Sequence, residues 1–272
     1  MSAFEEFLSK HPVFSVQEFD VFQRARGSKS SATRNTILAR QEAKGRLVRV
    51  RRGLYAAMTV GMTPEEATVD PYLVASRVMP DAVLGYHTAA EFHGKAYSVF
   101  SDVQFLTSAT SRPFTFRALH YRPVRVPKAL RDRGADRYAV EVHKRSGLDV
   151  AVTSIERTAV DLLDRLDLAG GFEEVWRFLQ AVGFLDLDVV LSFVDLLGNA
   201  TTTAKVGYCL ERFRDLLSID EGTLKRLERG KPKSPQYVHR GGKTAHRLSS
   251  RWNLLVPETV EETSWEEVGD AS

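Results

Sequence analysis

Between His11 and Ala57 the chain carries a series of starts and stops that admits few folds. Ser15-Val16-Gln17-Glu18 is a capping box, in which the Ser15 hydroxyl and the Glu18 carboxylate each satisfy a backbone donor left open at a helix start. Ahead of it Phe4, Phe7 and Leu8 fall at i, i+3, i+4, and His11-Pro12 ends that first helix. Val16, Phe19 and Phe22 continue the apolar spacing in a second helix, which Gly27 breaks. A third helix is expected from about Ser31 to Lys44, capped by Ser30, burying Ile37 and Leu38 and stopped by Gly45. Arg46 to Val50 and Leu54 to Ala56 then flank Arg51-Arg52-Gly53, a short ribbon with a tight turn. Helix, helix, glycine turn, helix and basic hairpin, in this order over residues 1–60, is the plan of a winged helix-turn-helix.

Charge supports a nucleic-acid partner for this module. From Arg24 to Arg52 there are ten Lys or Arg residues and one acid, Glu42, although the whole chain is only +3. Such a concentration of like charge on one small unit opposes folding unless an anion uses it. That argues against the alternative of a small helical bundle with a merely basic surface. The expected DNA contacts are Lys29, Ser31, Thr33, Arg34 and Asn35 near the start of the third helix, which in such modules enters the major groove. Arg49, Arg51 and Arg52 on the ribbon are expected over the sugar-phosphate backbone or in the minor groove. A second basic block, Lys225 to Arg251, has nine basic residues against Glu228, and the tail from Glu258 to Ser272 has six acids and no base.

Beyond a linker at Thr63-Pro64-Glu65-Glu66, the segments mix strand-like and helical patterns. Asp70-Pro71 opens a helix through Met79, and a short one spans His87 to His93. Ser98 to Leu106, Thr115 to Arg122 and Asp149 to Val152 read as strands. Ser154 caps a helix with Ile155, Val160, Leu162 and Leu163, and helical spacing follows over 172–182, 187–197, 203–217 and 224–229. Lys231 to Arg247, rich in Gly, Pro and basic residues, reads as loop. The expected organisation is α+β: a winged helix-turn-helix over 1–60, a mixed α/β domain over 66–257 with helices predominating toward its end, and an acidic, flexible tail over 258–272.

Motifs for catalysis are weak. His87 and His93 are six apart and share no helical face as metal ligands would. Gly241-Gly242-Lys243-Thr244 looks like the end of a phosphate-binding loop, but the earlier glycine of that motif falls on Tyr237. Glu156, Arg157 and Asp161 fit an ion pair better than an acid site. The expectation is no enzyme, no metal and no cofactor, with a scattered triad left open. Cys209 is the single cysteine, no apolar run has the length of a membrane span, and MSAFEEFLSK is acidic where a signal peptide is basic, so a cytoplasmic protein is expected.

Several stretches resemble a known family in combination: GRLVRVRRGLYAA at 45–57, DPYLVASRVMPDAVLGYHTAAEFHG at 70–94, VTSIERTAVDLLDR at 152–165, GGFEEVWRFLQ at 170–180, KVGYCLERF at 205–213 and RWNLLVP at 251–257. They look like the AbiEi antitoxins of abortive-infection toxin-antitoxin systems. The resemblance implies a winged-helix repressor of its own operon whose C-terminal domain counteracts a nucleotidyltransferase-like toxin encoded beside it. It implies operator DNA and that toxin as partners; apart from the resemblance, a homodimer on DNA is a possible assembly and no membrane is expected. The toxin's own motif is missing, since Gly27-Ser28 lacks the acids that follow it there. Direct binding, competition at the target and covalent modification of the toxin all stay open. The surface expected to counteract the toxin comprises Lys205, Tyr208, Arg212, Lys225, Lys231 and Lys233, although Tyr208 and Leu210 are equally compatible with core. The competing readings are a solitary regulator whose second domain senses a ligand or dimerises, and a nuclease-like or kinase-like enzyme on a DNA-binding head.

Overall fold

The structure, a computed structural model, describes residues 3–27, 31–58, 68–239 and 245–258, with side chains of 31–33 left aside. The expected Ser30 cap, the linker at 63–66, Gly241 to Thr244 and nearly all of the acidic tail lie outside the described residues. The architecture is α+β, with a winged helix-turn-helix first and helices predominating late.

The first elements are α1 (Ala3–Lys10), β1 (Val13–Ser15), α2 (Val16–Ala25), α3 (Ser31–Ala43), β2 (Leu47–Arg51) and β3 (Leu54–Ala57). The capping box forms: Ser15 Oγ accepts from Glu18 N, and the Glu18 carboxylate accepts from Ser15 N at 2.7 Å. An aromatic cluster joins the helices, with the Phe7 ring 4.9 Å from Phe14, 5.2 Å from Phe19 and 4.8 Å from Phe22. The ribbon turns through Arg52-Gly53, where Gly53 at φ +82° takes a conformation costly for any residue with a Cβ.

β1 was not expected. It pairs antiparallel with β3, making a three-stranded sheet of order β1-β3-β2. Alternation along these strands sends Phe14, Leu47 and Tyr55 to the aromatic cluster, and Val13, Val50, Leu54 and Ala56 to the other face. A sheet apolar on both faces must be covered on both.

The cover comes from α4 (Pro71–Val78), β4 (Val83–Leu84), α5 (Tyr86–Phe92), β5 (Asp102–Thr107), β6 (Phe114–Phe116) and β7 (Leu119–Arg125). After α6 (Lys128–Asp132), strands β8 (Val140–Arg145) and β9 (Leu148–Thr153) complete a six-stranded mixed sheet of order β6-β7-β5-β4-β9-β8. Val13, Val50, Leu54 and Ala56 share one buried cluster with Leu73, Leu84, Phe105 and Val152. The winged module and this sheet are therefore one compact unit, made of Met1–Phe92, Phe100–Val126 and Val140–Thr153. Where the sequence suggests a cut between 60 and 66, the buried cluster continues across it.

The second unit comprises His93–Val99, Pro127–Ala139 and Ser154–Ser272. It holds α6 and then α7 (Ile155–Asp164), α8 (Leu166–Ala169), α9 (Phe172–Ala181), α10 (Leu187–Leu197), α11 (Ala200–Arg212) and α12 (Glu221–Arg229). A small sheet follows, β10 (Gln236–Tyr237), β11 (His246–Ser249) and β12 (Leu254–Pro257), ordered β10-β12-β11. The segment expected as loop over 231–247 thus contains β10 and the start of β11. Ser154 caps α7 as expected, its hydroxyl accepting from Arg157 N. Arg157 and Asp161 form an ion pair at 3.3 Å, buried on both sides, and Arg157 Nη1 also donates to the carbonyls of Asp136 and Tyr138. Burial pushes the Asp161 carboxyl up to about 6 against the lowering influence of Arg157. These groups hold α7 in place, and no acid site forms around them.

Candidate nucleic-acid interface

Arg34 and Asn35 stand one turn into α3. Arg34 is not free: its Nη1 lies 2.6 Å from Asp20 Oδ1 on α2, with both side chains about four-fifths buried. Asp20 also takes Arg24 Nη2 at 2.8 Å. Arg34 thus braces α3 against α2, because a carboxylate lies within reach one helix away and Coulomb attraction in a half-buried site exceeds that in water. Asn35 is exposed and accepts only a long 3.4 Å contact from Arg34 Nε. Lys29 lies outside the described residues, and Ser31 and Thr33 occupy the first turn of α3.

On the ribbon, Arg49 and Arg52 are exposed, with no partner among the described residues. Arg51 is half-buried: its guanidinium lies 4.9 Å over the Phe114 ring, a cation–π contact, and its buried Nη1 has no hydrogen-bond partner among the described residues. Two residues absent from the expected contacts, Arg40 and Lys44 on α3, are also exposed without a partner among the described residues. Their signal was the basic run itself, which counts them but cannot say which side chains stay free. Arg46, by contrast, is 3.6 Å from Glu5. The arrangement can neutralise several phosphates through Arg40, Lys44, Arg49 and Arg52, and can offer one amide, Asn35, to a base edge.

In the second unit the expected surface is corrected at two positions. Lys205 is buried, its Nζ donating to the Leu163 carbonyl at 3.2 Å, and burial lowers its pKa. Tyr208 is buried as well, with Arg212 stacked over its ring at 5.4 Å. Both fall on the inward face of α11, whose neighbour Cys209 is buried with its thiol pushed up to about 12. Lys231 is engaged by the Arg251 carbonyl and by Glu228 at 3.6 Å. Arg212, Lys225 and Lys233 remain exposed.

Arg251 is the hub of this unit. Its guanidinium meets Glu211 at 2.6 Å, Glu221 at 2.7 Å and Glu228 at 3.2 Å. Next to it, Trp252 is fully buried and donates from Nε1 to Glu211 at 2.6 Å. The stretches at 205–213 and 251–257 therefore meet in one joint. His87, also buried, stacks on Phe100 at 3.7 Å and lies 3.5 Å from Glu91. Among the described residues no group of three or more His, Cys, Asp or Glu is placed to hold a metal, and no helix is long and apolar enough to cross a membrane.

Residues 1–57 match the family model for the AbiEi antitoxin transcriptional regulators. The match spans α1 through β3, all of the winged helix-turn-helix. Over the remaining chain the likeness read from the sequence stands on its motifs alone. A crystal structure of the RV2827C protein from Mycobacterium tuberculosis is similar in fold, with a TM-score of 0.59 at 14% identity, covering 92% of this chain and 89% of that one. Comparison with curated proteins finds no match.

Proposed function

We propose that the protein is a DNA-binding autorepressor and antitoxin, reading its own operator through the AbiEi-type module and counteracting a nucleotidyltransferase-like toxin encoded beside it. The observation that carries the first half is the set of exposed, unpaired cations on α3 and the ribbon, mounted on a winged helix-turn-helix. The second half rests on the likeness of the motifs at 152–165, 170–180, 205–213 and 251–257 to those of AbiEi antitoxins. Arg212, Lys225 and Lys233 are the cations left to meet an acidic toxin surface or a nucleic acid that the toxin uses. The protein itself acts as no enzyme in this reading, and it pairs as a homodimer on DNA inside the cytoplasm.

The test has two readouts. DNA from upstream of the gene should bind with an affinity that falls steeply with salt, because each phosphate neutralised releases condensed counterions, at a log-log slope of roughly −0.9 per phosphate. Arg49→Ala with Arg52→Ala should reduce the slope by about 2 and weaken all sequences alike. An unchanged slope refutes the ribbon's role. Co-expression with the neighbouring gene product should restore growth, and failure to do so refutes the antitoxin role.

A further inference from the structure

A cavity of about 540 Å³ opens beside the ribbon turn, lined by the start of α2, by Arg51 to Leu54 and by the end of α4. Three arginines face it: Arg51, Arg52 and Arg77. Glu18 is the acid among its lining residues, and that charge is already engaged. Its carboxylate accepts from Ser15 N and from Ser15 Oγ at 2.9 Å, and Arg77 Nε lies 3.0 Å away as an ion pair outside hydrogen-bond geometry. Arg77 further donates to the Asp149 carbonyl. Arg51 and Arg52 have no acid within ion-pair distance among the described residues, so their positive charge at the cavity is uncompensated there. The remaining wall has an apolar part, Leu54, Val78, Met79 and Pro80, beside the polar Ser15, Gln17 and Ser76. The volume lies within the range typical of sites for organic molecules and is larger than one inorganic ion requires.

We propose that this cavity binds a small phosphorylated organic anion on Arg51 and Arg52, and that its occupancy weakens DNA binding. The phosphate is held by the bidentate geometry that guanidinium groups offer to oxyanions, and the organic part lies on the apolar wall. The coupling rests on the reading of the ribbon as a DNA contact, since one guanidinium cannot serve a bound phosphate and a DNA phosphate together. A DNA backbone phosphate presents the same chemistry, so the experiment separates the two sources.

ADP, glucose 6-phosphate and pyrophosphate are titrated calorimetrically into the full chain at low salt, without DNA. At least one of the two organic phosphates should bind one to one and more tightly than pyrophosphate. Two substitutions should each weaken it by about tenfold or more, corresponding to roughly 1.4 kcal/mol. Arg51→Gln removes one of the two guanidinium groups proposed to hold the phosphate. Gln17→Glu places a like charge at the cavity while standing in the first turn of α2, where an acid favours the helix, so the fold is retained. Arg125→Gln, an exposed cation on β7 outside the cavity, should change nothing. Saturating the cavity should weaken binding of the upstream DNA. No binding of any probe at millimolar concentration, or equal binding by Gln17→Glu, overturns the proposal. If no free anion binds while both variants lose DNA affinity, the phosphate is that of DNA: the ligand site fails and the DNA reading stands. If an organic phosphate binds and saturates without altering DNA affinity, the coupling is overturned.

Discussion

At the scale of the residue, Arg34 and Asn35 exchange the roles that their types suggest. An arginine at the start of a recognition helix invites a guanine contact, but Asp20 lies within reach of it and Asn35 is the side chain left free. Arg34→Ala should therefore lower stability by about 1 kcal/mol, between the values for exposed pairs and for hydrogen bonds to charged groups. It should weaken operator and random DNA to the same extent. Asn35→Ala should leave the melt unchanged and erode discrimination by roughly 1 to 3 kcal/mol, as the loss of one bidentate contact does. Fluorescence anisotropy on both DNAs, with thermal melts of both variants, checks the pair. Selective loss of operator binding in Arg34→Ala would restore the guanine contact and remove the brace. Sequence reasoning could place both residues at the head of α3. It had no means to see Asp20, fourteen positions earlier, because that contact depends on how two helices cross.

At the scale of the element, α11 packs directly on Trp252 at Gly207. A Cβ added at Gly207 would lie 2.0 Å from the six-membered ring of the indole, so only a glycine lets the helix meet it. The sequence marks KVGYCLERF and RWNLLVP only by their resemblance to AbiEi antitoxins and gives no sign that they touch. Gly207→Ala should cost about 2 kcal/mol or more through overpacking, with helix propensity favouring alanine and working the other way. Trp252→Phe shortens the ring system that the new methyl strikes, so the double variant should be less destabilised than the sum of the single variants. Urea melts of the three variants decide it, and strict additivity would separate the glycine from the indole. The same limit explains three of the strands that the sequence reading lacks, although not the six-residue β8. β1, β4 and β10 have three residues or fewer and are held by partners distant in the chain, so no local period marks them. The capped helices α2, α4 and α7 carry their start signals within four residues and were read from Ser15, Asp70 and Ser154.

At the scale of the whole molecule, the question is how much chain the DNA-binding module needs. The family match ends at residue 57, and the aromatic cluster around Phe7 and Phe19 is complete within that segment. The opposite face of the β1-β3-β2 sheet is not, since Val13, Val50, Leu54 and Ala56 are buried together with residues of α4, β4, β5 and β9. A fragment of residues 1–60 would expose these four side chains to water, at roughly 25 cal/mol for each Å² of apolar surface uncovered. It would also free Arg51 from Phe114. A fragment of residues 1–153 keeps every strand of that unit and ends at the close of β9. It should melt cooperatively and bind upstream DNA with the salt dependence of the full chain, halved if the second unit is needed for dimerisation. The 1–60 fragment should melt at a lower temperature or without a cooperative transition, and bind more weakly at every salt concentration. Neither fragment should rescue growth against the toxin, because both lack Arg212, Lys225 and Lys233. Equal stability and DNA affinity of the two fragments would show that the winged module is self-sufficient and that the shared buried cluster contributes nothing to it, while rescue by the 1–153 fragment would move the antitoxin surface out of the helical unit.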